Sequence, residues 1–102
     1  MEIKIEVFSM YEYYKVTANT TINSLIINNK KSNMNASEFA EKLLNIVAFW
    51  DERLVSQNLV HDAENYVIEI EKGLETLKLI GNGKYPNNYN NFKNLLKEAF
   101  EC

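Results

Sequence analysis

Few side chains in this sequence could do chemistry, and they are poorly grouped. His61 is the only histidine, within His61-Asp62-Ala63-Glu64. As a general base it would need an orienting carboxylate and a substrate proton within reach. No Ser-His-Asp pattern is completed around it, and zinc would need further ligands that the sequence does not cluster. His61 therefore reads as part of a polar turn that enters a strand at Asn65. Gly81-Asn82-Gly83-Lys84 stands between a strand and a helix, where phosphate loops occur. It lacks the longer glycine-rich run and the Ser or Thr after lysine, because Tyr85-Pro86 follows. A dinucleotide fingerprint would need a third glycine where Pro86 stands. A tight loop using glycine's freedom at positive φ is the better reading.

The acids come in pairs: Asp51-Glu52, Asp62 with Glu64, and Glu69 with Glu71 on one face of a strand. Such pairs could serve acid–base or cation chemistry, but acids are rarely buried without partners, so a solvated face is expected. Phe8, Tyr11, Tyr13 and Tyr14 could form a base-stacking platform on a sheet. That role needs a basic surface for phosphates, and the chain has net charge −3 and a single arginine, Arg53, so nucleic-acid binding is discounted. The lone cysteine, Cys102, is the last residue, so no internal disulfide forms and no oxidising compartment is implied. No catalytic residue, metal site or cofactor is expected.

Charge is distributed unevenly. Residues 51–75 hold seven acids against Arg53 and Lys72, residues 1–50 are balanced, and 76–102 carry a positive excess. Fifteen asparagines and a ten-to-one ratio of lysine to arginine are read as the mark of AT-rich coding, the asparagines falling mostly in turns and caps.

The elements that must position these residues follow from periodicity. Ile3, Ile5 and Val7 alternate with Lys4, Glu6 and Phe8, the pattern of a half-buried strand over 2–9. Strands follow at 11–18, rich in aromatic and β-branched residues, and at 22–28 through Ile22, Leu25, Ile26 and Ile27. Ala36, Phe39, Ala40, Leu43, Leu44, Ile46, Val47 and Trp50 form the apolar stripe of a helix. Asn35 caps it, with Glu38 reaching back. A short strand could lie at Leu59–His61. Tyr66, Ile68 and Ile70 share a strand face, and a Lys72-Gly73 turn would set Ile68 opposite Leu77 and Tyr66 opposite Leu79. A last helix, capped by Asn87 or Asn88, carries Tyr89, Phe92, Leu95, Leu96, Ala99 and Phe100. The expected fold is α+β: one domain over 1–102, with a mostly antiparallel sheet of about five strands and two amphipathic helices on one face.

Residues Asp62 to Ile70, then Gly81 to Tyr89 with its helix, resemble the C-terminal half of small proteins of unassigned function from low-GC Gram-positive bacteria. Trp50, at the end of the first helix, fits the same pattern. The resemblance spans roughly the last 55 residues and carries no catalytic residues. In size and charge the chain is also similar to immunity proteins that neutralise antibacterial toxins.

The expected function is non-enzymatic binding of a basic protein partner through the acidic segment. Asp51, Glu52, Asp62, Glu64, Glu69 and Glu71 would supply charge, with Tyr85 as an aromatic anchor. The alternatives are a ligand pocket between sheet and helices using His61, Tyr66 or Tyr85, and self-association through strand 11–18 if it lies at a sheet edge. The chain would be a monomer or homodimer. No apolar run approaches the ~20 residues of a membrane span, and the N-terminus has no signal-peptide pattern, so a cytoplasmic location is expected.

Overall fold

Alternation at the N-terminus organises the sheet. β1 (Glu2–Phe8) buries Ile3, Ile5 and Val7 and turns Glu2, Lys4, Glu6 and Phe8 the other way. It is central, pairing antiparallel with β2 (Tyr13–Asn19) on one side and β6 (Asn65–Lys72) on the other. The computed structural model describes residues 1–55 and 64–102, and within them the sheet has seven strands in the order β4-β3-β2-β1-β6-β7-β5. The remaining strands are β3 (Ser24–Ile27), β4 (Lys30–Lys31), β5 (Arg53–Val55) and β7 (Glu75–Asn82). Two helices, α1 (Ala36–Val47) and α2 (Tyr89–Glu101), lay their apolar stripes on one face of this sheet. The class is α+β, as the periodicity predicts.

Asparagine side chains set much of the local geometry. Asn35 Oδ1 accepts the amides of Ser37 at 2.8 Å and Glu38 at 3.2 Å, while Asn23 Oδ1, from the turn before β3, accepts that of Ala36 at 2.9 Å. Three orphan donors of the first turn of α1 are thereby satisfied. Glu38 pairs with Lys42 instead of reaching back to Asn35. Asn28 and Asn29 take φ of 51° and 65°, giving the two consecutive left-handed residues of a tight β3–β4 hairpin. Asn28 also accepts the Lys15 amide and donates to the Tyr13 carbonyl, extending the ladder of β2 past the end of β3. Asn88 holds the N-cap position of α2 but makes no side-chain cap hydrogen bond; its side chain joins Trp50 Nε1 at 2.6 Å to the Ile46 carbonyl at 2.7 Å. Asn23, Asn28, Asn29 and Asn35 thus sit in turns and a cap, as expected, and are structural parts there.

Other expectations need correction. The sheet has seven strands, not about five, because β4 and β5 are two and three residues long. Neither offers enough alternation to be seen locally; each exists because its neighbour presents free backbone groups. Among the described residues β5 is the one parallel strand, Arg53 pairing with Ile80 and Val55 with Asn82. Ile22 is 71% exposed in the turn before β3. α1 ends at Val47, so Trp50 lies beyond it, although its ring still packs on the core. In the β6–β7 hairpin Ile68 faces Leu79 and Tyr66 faces Gly81, two residues from the expected register. Gly73-Leu74 forms the loop, with Gly73 at φ 61°, rather than Lys72-Gly73. A two-residue shift leaves every side chain on its expected face. Strand 11–18 is not at an edge, since β2 sits between β1 and β3. The expected strand at Leu59–His61 lies outside the described residues.

Gly81 has a specific reason to be glycine. Tyr66, fully buried, lies across it, and a Cβ there would sit 1.9 Å from Tyr66 Cε1. Gly81→Ala should therefore destabilise the fold by about 1–3 kcal/mol through overpacking. In chemical denaturation the same substitution should cost measurably less in a Tyr66→Leu background. An equal cost in both backgrounds would show that the contact is not the cause.

Candidate functional site

Two regions gather side chains that could act. The first is a polar cluster at the end of the sheet where β6 begins. Lys93, one turn into α2, places its ammonium between Glu64 and Glu12, a residue of the β1–β2 connection. Tyr89, four residues earlier on the same helix face, donates its hydroxyl to the other Glu64 oxygen at 2.6 Å. The Glu64 and Lys93 side chains are only 16% and 19% exposed. Tyr85 stacks on Tyr89 with ring centroids 4.7 Å apart, and its hydroxyl both accepts the Glu64 amide and donates to the Glu64 carbonyl. Behind these rings stand Trp50, Tyr66 and Phe92, with centroids 5.4–6.3 Å apart.

The electrostatics of this cluster favour its protonated forms. Burial raises the Tyr89 pKa strongly, with the Glu64 hydrogen bond and charge adding to it. Burial, with Asp51 adding, raises that of Tyr66, and burial with Glu12 raises that of Tyr14. For Lys93 burial alone would lower the value, but the bonds to Glu12 and Glu64 outweigh it and the net shift is upward. Tyr89, Tyr66, Tyr14 and Lys93 therefore stay protonated at neutral pH. The Tyr66 hydroxyl is buried with no hydrogen-bond partner among the described residues. Nor, among the described residues, do three His, Cys, Asp or Glu side chains gather to hold a metal.

The second region is the sheet face opposite the helices. Cross-strand register lays it out in rows. Tyr13, Phe8, Asn65 and Asn82 form one; Lys15, Glu6, Val67 and Ile80 the next; Thr17, Lys4, Glu69 and Lys78 the third; Asn19, Glu2, Glu71 and Thr76 the last. Val55 and Arg53 extend the first two rows through β5. One end of the face is thus partly apolar, with Phe8 41%, Tyr13 54% and Val55 41% exposed. The opposite end sets Glu2 directly across from Glu71. Glu69 is paired with Lys78 at 3.5 Å. Asn65 Oδ1, between Phe8 and Asn82, is buried without a partner among the described residues.

The acidic segment is not gathered into one surface. Glu69 and Glu71 lie on the open face, Asp51 and Glu52 are exposed just before β5, and Glu64 turns inward to Lys93 and Tyr89. Asp62 and His61 lie outside the described residues. Tyr85 is 40% exposed, but its ring and hydroxyl are both engaged within the fold. Of the aromatic quartet, Phe8 and Tyr13 are direct neighbours on the open face, Tyr14 points to the helix side, and Tyr11 sits exposed in the connection. Sequence reasoning missed Lys93 and Glu12, 81 residues apart. The only local sign was the spacing of Tyr89 and Lys93 by one helical turn.

Among the described residues the space between sheet and helices around Tyr66 is filled by rings. No helix there is long and apolar enough to cross a membrane.

The polar cluster behaves as a clip, and its energetics are testable. Lys93→Met leaves Glu64 half-buried without its cation, with an expected loss near the lower end of the ~3–5 kcal/mol typical of broken buried pairs. Adding Glu64→Leu to Lys93→Met should recover much of that loss. Tyrosine and lysine pKa values raised in the folded state contribute stability below their ordinary values of 10.0 and 10.5 that is lost as pH rises above them. Denaturant midpoints should therefore fall above about pH 10, and Tyr89→Phe should flatten that fall. An unchanged alkaline slope in Tyr89→Phe would exclude Tyr89 as its source.

In comparisons with known proteins, no family model, no curated protein and no solved structure matches this chain.

Proposed function

We propose that the chain is a non-enzymatic protein-binding module that docks its partner on the uncovered face of its sheet. The concrete form is an immunity-type inhibitor of a basic protein. The observation that carries this reading is the face itself. Two helices bury one side of seven strands, while the other side displays Phe8, Tyr13 and Val55 half-exposed beside a row of charges. Apolar area that a fold leaves in contact with water, rimmed by polar groups, is the usual composition of a contact surface.

The face balances four acids against four cations, and its acidic end is the part that suits a basic partner. Glu2 and Glu71 stand directly opposite each other, an arrangement that costs stability on its own. A cation from a partner placed over this pair would relieve that repulsion and speed encounter. Glu69 and Glu71 keep their expected part in binding, joined by Glu2, Phe8 and Tyr13. The alternative, a ligand pocket at Tyr66, has no support among the described residues, because aromatic rings occupy that volume.

The test is capture from source-cell lysate on immobilised chain, at low and high salt, beside two variants. Phe8→Glu/Tyr13→Glu alters the apolar end, and Glu2→Lys/Glu71→Lys reverses the acidic pair. A basic protein held by the parent chain and lost from both variants is the expected result, with weaker retention at high salt. If both variants hold that protein as well as the parent does, the open face is not the docking surface. Asp51→Lys/Glu52→Lys would then be the next variant to compare.

A further inference from the structure

We propose that β7 is the docking edge for a second copy of this chain, two β7 strands pairing antiparallel about a two-fold axis at Leu77. The proposal is independent of the open-face reading and rests on backbone groups rather than on that surface.

β5 pairs only with Ile80, Gly81 and Asn82, so among the described residues nothing pairs with Glu75 to Leu79 on the side away from β6. The Ile80 amide donates outward to the Glu52 carbonyl at 2.9 Å. Backbone groups alternate in direction along a strand, so those of Lys78 and Thr76 point outward as well, toward the open edge. Self-pairing centred on Leu77 places Thr76 of each copy opposite Lys78 of the other, forming two hydrogen-bonded pairs. Every outward-facing group of this stretch then finds a partner. The neighbouring registers either pair turn residue Leu74 or reach Ile80, whose amide is already used.

The side chains agree with this register. Leu77 is on the helix-covered face, across from buried Ile70, yet 37% exposed. It borders a groove with Leu44 of α1, Ile70, Lys72, Glu75 and Thr76. A two-fold axis at Leu77 brings the two leucines into direct contact and closes this groove from both sides. The opposite edge of the sheet is guarded differently: β4 is only Lys30 and Lys31. Lysine commonly protects an edge, but Lys78 is drawn back over its own sheet by Glu69. A two-fold axis perpendicular to the sheet also keeps both open faces on one side, so the dimer presents the face twice and does not cover it.

The full chain is tested by sedimentation equilibrium and by cysteine cross-linking. Sedimentation should give twice the chain mass. Lys78→Pro removes one outward amide without touching the β6 ladder and should halve that mass. With Cys102→Ser as background, Leu77→Cys should form an intermolecular disulfide on mild oxidation, since such a pair has Cα atoms about 4.5 Å apart. Thr76→Cys in the same background should remain reduced, because its symmetry mate lies roughly 8 Å away, beyond disulfide reach. A chain that is monomeric at millimolar concentration overturns the proposal. So does a dimer that survives Lys78→Pro while Leu77→Cys stays reduced. Partner capture through the open face is unaffected by either result, so the two proposals fail separately.

Discussion

Tyr66 lying across Gly81 is the contact on which most of this architecture depends. A buried tyrosine on β6 needs room over its neighbour strand, and only a residue without a side chain provides it. Once the ring is seated, Trp50, Tyr89 and Phe92 close around it. Those three come from the chain leaving α1 and from the first turns of α2, so one aromatic cluster locates both helices on the sheet. Asn88 completes the junction by holding Trp50 and the last turn of α1 at the start of α2. With Trp50 fixed, the next residues emerge beside β7, where the Glu52 carbonyl meets the Ile80 amide and β5 begins. The parallel edge strand is thus a consequence of where an aromatic ring is anchored.

The same cluster decides what the charges can do. Tyr89 and Lys93 are one turn apart on α2, and seating Tyr89 against Tyr66 carries Lys93 to the end of the sheet, where Glu64 and Glu12 meet it. Half-buried carboxylates are tolerated only with such partners, since removing them from water costs several kcal/mol. Glu64 is consequently a part of the fold's closure. Glu69 and Glu71, five and seven residues further on in β6, lie on the other face. A segment with net charge −5 in sequence is therefore spread over the sheet end, the β5 approach and the open face. A binding surface on this protein is defined by which face a strand residue occupies, not by local charge density along the chain.

A polar residue type does much of the work that glycine and proline do elsewhere. The chain has three glycines and one proline, and asparagine takes up left-handed φ at positions 23, 28 and 29. Its short amide is stable there and can replace backbone partners. The amides of Asn23 and Asn35 serve the first turn of α1, and that of Asn28 substitutes for a missing strand residue beside β2.

The sequence alone determined the class of fold, the two helices, the main strands and the face of most of their apolar residues, though not of Ile22 or Trp50, because periods of 2 and 3.6 are local properties. It also marked Asn35 as a cap, since that geometry involves only the next three residues. Tertiary structure decided the rest. Hairpin register was open because Ile68 opposite Leu77 or opposite Leu79 gives the same two faces, and only the φ of Gly73 and the pairing of Tyr66 with Gly81 separate them. β4 and β5 were invisible because two or three residues hold no periodicity. The inward turn of Glu64 was illegible because its partners Lys93 and Glu12 come from distant segments. Among the described residues Glu75 to Leu79 of β7 have no neighbour away from β6, and no local pattern encodes where a neighbouring strand stops.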